Sequence, residues 1–316
     1  MIKHYEGILG EFDYDNEEFI ITYDRFIHHS EHLHYIGKGL SVDLPKECIN
    51  TSYMFYNCKL PEGFHLGNFD TSNVRDMSWM FANCVLPKGF SLGNKFDTSN
   101  VNNMAGIFND CKLPDGFHLG DKFDTSNVVI MKYMFFNCKL PEGFTLGDKF
   151  DTSNVMDMRN MFSHCVIPEG FALGDKFDTS SVIDMCAMFY GCKFPKGFTL
   201  GNKFNTSKVI CMNYMFARCI LPKEFTLGDY FNTYNVAYME SMFYSCVFPE
   251  NFTLGNHFDT AKVKNMKFMF YGCEIPEGFL LGDKFDTSNV KNMVGIFDYC
   301  DFPEGMTEES LLNGNN

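Results

Sequence analysis

The 316-residue sequence lacks the features that define membrane and secreted proteins. No run of eighteen apolar residues occurs, so we expect no transmembrane helix and no membrane insertion. The first residues lack the apolar stretch of a secretory signal peptide. We therefore expect a cytoplasmic protein, or a cell-surface protein if a leader has been removed.

Basic side chains are scarce. The chain has 26 Lys and Arg against 40 Asp and Glu, for a net charge of -14. Residues 1–50 carry ten acidic and four basic side chains, residues 301–316 carry four acidic and none basic, and the rest is nearly neutral. Nucleic-acid binding needs a basic stripe, so no nucleic-acid partner is expected. An acidic nucleic-acid mimic would need charge along its whole length, which this chain lacks.

Motifs for catalysis and for metal binding are also missing. The sequence contains no Cys-x-x-Cys pair from which to build a zinc site, no phosphate-binding loop and no nucleophile elbow. We expect no enzyme, no cofactor and no metal.

What the sequence does contain is a strict repeat, rich in its 36 Phe and 20 Met. Residues 138–164 form one unit, which begins at a cysteine. The cysteines recur at intervals of 26 and then 27 residues, at positions 58, 84, 111, 138, 165, 192, 219, 246, 273 and 300. Such a period predicts one solenoid of ten repeats over residues 51–300, in which each unit contacts only its neighbours.

We number positions within a repeat from the recurring valine, for example Val155, as position 0. Apolar residues then occupy positions 0, 3, 6, 7 and 10, which predicts the buried stripe of a short helix or helical turn. The preceding Asp151 and its polar neighbours are typical of a helix N-cap. The alternating segment 143–147 predicts a very short strand. Ten such strands would form a parallel sheet about 45 Å long.

Residues outside the repeats predict two caps. Over residues 1–50 we expect a β-rich N-terminal cap with strands at 11–15, 18–23 and 33–36 and a turn at 15–16 between the first two. Residues 301–316 are predicted to form an acidic C-terminal cap and tail.

One block recurs almost unchanged, Phe-Asp-Thr-Ser-Asn-Val-x-x-Met-x-x-Met-Phe-x-x-Cys, at 69–84, 96–111, 123–138, 150–165 and 285–300. This block resembles the BspA-like leucine-rich-repeat family. The resemblance covers about residues 50–300 and implies a leucine-rich-repeat-like solenoid used in adhesion or protein recognition. The segment Leu-Pro-x-Gly-Phe-x-Leu-Gly departs from the leucine-dense segment of that family, and we expect no leader of that family's kind.

Three sets of residues admit a second interpretation. The ten cysteines could pair between coils, but a buried column of free thiols is favoured. His28, His29, His32 and His34 could bind a metal, although a solvated loop is simpler. The recurring acids could form a calcium ladder, although turn formation and capping explain them better, at Asp97, Asp124, Asp151, Asp178, Asp259 and Asp286.

Recognition in a repeat protein is expected where the units differ. Positions 1, 5 and 8 point away from the buried stripe and vary between apolar, aromatic and polar residues. They predict an outward partner-binding patch, made of Trp79, Val129, Tyr133, Phe136, Met156, Ile183, Tyr190, Ile210, Tyr214, Tyr244, Phe268 and Tyr271. The opposite column is polar and monotonous, and it ranks second as a binding face: His65, Ser91, His118, Thr145, Ala172, Thr199, Thr226, Thr253 and Leu280.

The sequence therefore predicts a non-enzymatic protein-binding module, acting in recognition, as an inhibitor or as an effector. Two alternatives stay open. The same patch could pair two copies into a homodimer, which would make this a structural protein, or the chain could be a surface adhesin whose leader is missing.

Overall fold

The computed structural model describes residues 4–7, 10–13, 18–21, 44, 46, 48–60, 62–66 and 69–313. The histidine cluster, the strand predicted at 33–36 and the turn predicted at 15–16 lie outside the described residues. No helix in the described part of the chain is long and apolar enough to cross a membrane.

A three-stranded antiparallel sheet forms near the N-terminus from β1 (His4–Gly7), β2 (Gly10–Asp13) and β3 (Glu18–Ile21). Strands β2 and β3 overlap the first two predicted strands, whereas β1 was not predicted. The domain boundaries themselves stay a prediction.

At the other end, helix α1 spans Glu308–Asn313. Its start is a reciprocal cap: the Ser310 N–H donates to Thr307 Oγ1 at 3.1 Å, and the Thr307 N–H donates to Ser310 Oγ at 2.9 Å. Two glutamates in its first turn oppose the positive end of the helix dipole. Leu311 on this helix is buried.

Between these ends, successive repeats are joined by parallel bridges, each one residue wide. One ladder links the residues at position 2, such as Asp157 and Asp184, and the other links those at position 11, such as Val166 and Lys193. Every bridged pair is 26 or 27 residues apart, so each repeat forms one coil that pairs with the next coil in the sequence. Equivalent positions of successive coils therefore form columns along the stack.

Of the predicted short helix or helical turn over positions 0 to 10, the regular helix does not form, and the segment consists of single turns. In the coil of residues 155–165, the N–H groups of positions 6, 8 and 10 donate to carbonyls three residues earlier, as from Met161 to Met158 at 3.2 Å. The N–H groups of positions 3, 5, 7 and 9 donate instead to the next coil, as from Phe162 to Met188 at 2.9 Å. The segment is three overlapping tight turns, and half of its donors are satisfied by the neighbouring coil.

Backbone conformation agrees with these turns. Positions 5 and 9 have positive φ, at 56° for Asn160 and 58° for His164. A type II turn requires a positive φ at its third residue, and a helix does not allow it. The predicted buried stripe is nevertheless confirmed, because Val155, Met161 and Phe162 are all 0% exposed.

The strand predicted at residues 143–147 is also wrong. Among the described residues, only Thr253 and Leu280 form a bridge at this place in the repeat. Within the same part of the chain, backbone hydrogen bonds between coils at this place occur only between the two coils that this bridge joins, as from the Leu280 N–H to the Phe252 carbonyl at 3.0 Å. The other coils therefore form no ladder here.

The core is built from columns of identical side chains. Phenylalanine fills three columns, represented by Phe144, Phe150 and Phe162, together with columns of Met, Val and Leu. A buried threonine column ties the coils together, because each hydroxyl donates to a carbonyl of the next coil, as from Thr152 to Asp178 at 2.7 Å. Asparagine at position -1 donates in the opposite direction, as from Asn154 to Ser126.

The prediction of a free thiol column is confirmed for the ten in-register cysteines, of which nine are buried and Cys300 is half-buried. Most of these thiols donate to the carbonyl of the position-7 phenylalanine one coil back, as from Cys165 to Phe135 at 2.7 Å. The turn interpretation of the acid column is also confirmed: Asp151 accepts the N–H of Ser153, and Asn205 accepts that of Ser207 in the same way. These residues cap turns and not helices.

Candidate functional site: an aromatic ridge along the coils

The twelve residues predicted for partner binding all lie outside the core. Met156, Ile183, Ile210 and Tyr214 are exposed, with 36% to 45% of their surface accessible. The other eight are half-buried: Trp79, Val129, Tyr133, Phe136, Tyr190, Tyr244, Phe268 and Tyr271.

The aromatic members of this set form one continuous row together with neighbouring side chains at positions 5, 8 and 9. The row begins with Tyr53 stacked on Trp79 at 6.2 Å and ends with Tyr271 against Tyr299 at 5.0 Å. Trp79 reaches Tyr133 at 5.8 Å across the intervening coil, in which position 5 is a glycine. We call this row the aromatic ridge; it consists of Tyr53, Tyr56, Trp79, Tyr133, Phe136, His164, Tyr190, Tyr214, Arg218, Tyr244, Phe268, Tyr271 and Tyr299.

Two polar side chains bridge gaps in the ridge. His164 lies edge-on between Phe136, at 5.7 Å, and Tyr190, at 4.9 Å. The Arg218 guanidinium lies 5.8 Å from the ring centre of Tyr190 and 6.0 Å from that of Tyr244. Such contacts attract a cation to the ring face. Residues at position 9 were missed by sequence reasoning, because that position points elsewhere on a helix.

Several ridge aromatics have an unfavourable backbone conformation. Tyr53, Trp79, Tyr133, Tyr214 and Phe268 all occupy position 5 with φ between 57° and 60°. A residue with a side chain is disfavoured there by roughly 1–2 kcal/mol. The turn imposes nearly the same φ on Asn160, Ala187 and Ser241 at position 5, so this strain belongs to the coil and not to the aromatic residues.

An aliphatic column accompanies the ridge at position 1. It comprises Val129, Met156, Ile183 and Ile210, and each N–H donates at 2.9 Å to the carbonyl of the position-1 residue one coil back. Position 1 is polar in the outer coils, as at Arg75 and Lys291.

Position 4 of one coil faces position 2 of the next, and this junction differs chemically along the stack. Arg159 Nε lies 3.5 Å from Asp184 Oδ2, and Asn265 donates to Glu240 at 2.9 Å. At the junction that follows the Arg159–Asp184 junction, Cys186 and Cys211 form a disulfide with a Cα–Cα distance of 5.8 Å.

This disulfide was not predicted, because only the in-register cysteines were considered for pairing. Its signal is present in the sequence: the two residues are 25 apart, which is two short of the repeat. A residue at position 4 therefore meets a residue at position 2 of the next coil.

Charges around the disulfide are partly shielded from solvent. Burial raises the pKa of Asp184, although the Cys186 N–H and the Arg159 guanidinium act in the opposite direction. Hydrogen bonding to Asp157, at 2.7 Å, raises the pKa of Arg159.

One protein family matches most of the chain. The family described as "Mycoplasma protein of unknown function, DUF285" matches residues 49–166, 169–277 and 247–304. The chain belongs to this family. No curated protein and no solved structure matches it.

All three DUF285 matches fall within the coils and together span the ridge, whereas β1 to β3 lie outside them. Successive matches of one family along one chain show a repeat protein. The finer resemblance to BspA-like leucine-rich repeats is not among the matches and stays a prediction.

Proposed function

We propose that this DUF285 chain is a non-enzymatic module that binds another protein through the aromatic ridge and the adjacent aliphatic column. The observation that carries this proposal is the continuity of the ridge, from Tyr53 in the first coil to Tyr299 in the last. Exposed apolar patches are typical of interfaces, and Tyr, Trp and Arg are the residues that most often anchor them.

The way the repeats vary supports the same surface. Core columns repeat the same residue from coil to coil, whereas positions 1, 5 and 8 change between apolar, aromatic and polar side chains. The opposite column, including Thr145, Thr199 and Thr226, is exposed but small and uniform. Small uncharged side chains provide little basis for distinguishing one partner from another.

We also propose that the stacked coils form a leucine-rich-repeat-like solenoid. The bridges between residues 26 or 27 apart support a solenoid. The resemblance of the recurring block to BspA-like repeats supports a role in adhesion or recognition. Surface adhesion is a second candidate function that rests on this resemblance.

A site-specific cross-link tests the proposal. Tyr214, which is exposed on the ridge, is replaced by the photoreactive p-benzoylphenylalanine, and the control carries the same residue at Thr226 on the opposite face. Irradiation in the producing cells is expected to attach one distinct protein species at position 214 and not at position 226. Equal patterns at both positions would contradict the proposal.

Light scattering after size exclusion, in reducing buffer, separates a foreign partner from a second copy of the chain. The wild type is compared with Ile183→Glu/Ile210→Glu and with the control Thr199→Glu/Thr226→Glu, all four positions being exposed. A wild-type dimer that only the first variant converts to a folded monomer would favour the homodimer alternative. A monomer in all three cases directs the search to a foreign protein.

A further inference from the structure

The Cys186–Cys211 junction brings three metal-binding side chains together. One oxygen of Asp184 and the sulfurs of Cys186 and Cys211 all lie within 4.8 Å of one another. In the part of the chain that the structure describes, no other group of three His, Cys, Asp or Glu donors is this close. All three residues are half-buried, so small solutes can reach them.

The carboxylate is already oriented toward this position. The Cys186 N–H donates to Asp184 Oδ1 at 3.0 Å, and Arg159 lies 3.5 Å from Oδ2. Arg159 makes its closer contact, at 2.7 Å, with Asp157. Hydrogen bonds of this kind hold ligating carboxylates in place around metals.

We propose that Asp184, Cys186 and Cys211 form a redox-dependent site for a thiophilic divalent cation such as Zn²⁺ or Cd²⁺. In the oxidised state the two sulfurs are joined and cannot bind the ion. In the reduced state two thiolates and one carboxylate supply three ligands. A tetrahedral ion then has its fourth position open to water or to another ligand.

The interconversion is a thiol–disulfide exchange. A small dithiol attacks the Sγ–Sγ bond, so that Cys186 and Cys211 gain two electrons and two protons while the dithiol becomes a disulfide. The cation then displaces the two thiol protons to the solvent.

Backbone spacing at the junction suits both states. Zn–S bonds of about 2.3 Å at a tetrahedral angle place two sulfurs about 3.8 Å apart. A Cα–Cα distance of 5.8 Å lets the two side chains reach this spacing by rotation about their Cα–Cβ bonds. The in-register thiols do not compete for the ion. Nine of the ten are buried, and none belongs to a group of three close metal-binding side chains among the described residues.

The test is a Cd²⁺ titration of the full chain. Binding is measured by the thiolate-to-metal charge-transfer absorption in the ultraviolet. Protein reduced with a phosphine and then freed of it is expected to bind one Cd²⁺ per chain, and the oxidised protein none. Cys186→Ser and Cys211→Ser should abolish the absorption band. Asp184→Asn should weaken binding about tenfold or more, as removal of a ligand or its partner commonly does.

Asp76→Asn is the matched control, since Asp76 is the position-2 aspartate of a distant coil with no cysteine beside it. It should bind Cd²⁺ like the wild type. Circular dichroism on each variant separates loss of the site from loss of the fold. Equal binding by oxidised and reduced protein, or an unchanged band in folded Cys211→Ser, would overturn the proposal.

Discussion

Glycine at position 5 makes room for an aromatic ring from the preceding coil. A Cβ added at Gly106 would lie 2.6 Å from the Trp79 ring, and one at Gly295 would lie 2.7 Å from Phe268. Real Cβ atoms essentially never lie within 3.0 Å of a ring carbon, so either the ring or the backbone would have to move. The course of the ridge over these coils therefore depends on the absence of a side chain beneath each ring.

We predict that Gly106→Ala destabilises the chain by about 2–4 kcal/mol, because it combines a clash with strain at a φ of 60°. Gly120→Ala is the control, with a positive φ of 83° and nothing within 4 Å, and it should cost only the roughly 1–2 kcal/mol of strain. Urea unfolding measures the free energy of unfolding of both variants. Trp79 is the only tryptophan, so its fluorescence should shift in the first variant alone. Equal effects would mean that the ring moves aside freely.

Buried thiols make stability depend on pH at the residue scale. Burial raises the pKa of Cys138 and of Cys219 to about 12, against 9.0 for a free thiol. Above pH 9 the unfolded chain loses thiol protons that the folded chain keeps, so the free energy of unfolding falls as pH rises toward 12. Each such thiol contributes about 1.4 kcal/mol per pH unit in this window.

The comparison of wild type with Cys138→Ala/Cys219→Ala isolates this effect from other titrations. Urea unfolding between pH 8.5 and 10.5 should give a shallower loss of stability for the variant, because two thiols no longer ionise on unfolding. Parallel curves would show that these thiols titrate alike in both states.

At the scale of the coil, hydrogen bonds between coils replace those that a helix would make within itself. In a coil that is followed by another, the next coil accepts hydrogen bonds from the N–H groups of positions 3, 5, 7 and 9. It also accepts one from the threonine hydroxyl. A single coil therefore leaves many of its donors unsatisfied, and coils are stable only when stacked.

We predict that Thr152→Val lowers the free energy of unfolding by about 1–3 kcal/mol, because the shape is kept while the Asp178 carbonyl loses its buried donor. Thr199→Val, on the exposed column, is the control and should change stability by less than about 0.5 kcal/mol. Thermal and urea unfolding should rank the two variants in the same order of stability. A neutral Thr152→Val would indicate that water replaces the hydroxyl.

At the scale of the molecule, every bridge between the described coils joins one coil to the next in the sequence. Stability in such an array is close to a sum over units and their interfaces. Removal of one full unit should then preserve every remaining junction, whereas removal of part of a unit should not.

We predict that deletion of residues 139–165, which joins Cys138 to Val166, gives a folded protein that unfolds at lower urea concentration than the wild type. Deletion of residues 139–158, 20 residues instead of 27, shifts every later side chain against its neighbour and should prevent folding of the stack. Circular dichroism and urea unfolding distinguish the two. A folded 20-residue deletion would contradict the one-dimensional description.

The sequence by itself determined which residues are buried and which point outward. Val155, Met161 and Phe162 were identified as core and Ile183 and Ile210 as surface, because the same apolar spacing recurs in every unit and marks one face. That inference does not require the predicted backbone conformation to be the observed one. The spacing of positions 0, 3, 6, 7 and 10 is met equally by a helix and by successive turns.

Only the tertiary structure decided how the backbone meets its hydrogen bonds and which distant residues touch. A regular helix does not form because about half of the segment's N–H donors find partners in the next coil, which a single unit does not contain. The continuity of the ridge and the closeness of Cys186 to Cys211 have the same origin. Both depend on the spacing between adjacent coils, as in the 5.8 Å between the Cα atoms of Cys186 and Cys211, and that distance belongs to the stack and not to any one segment of sequence.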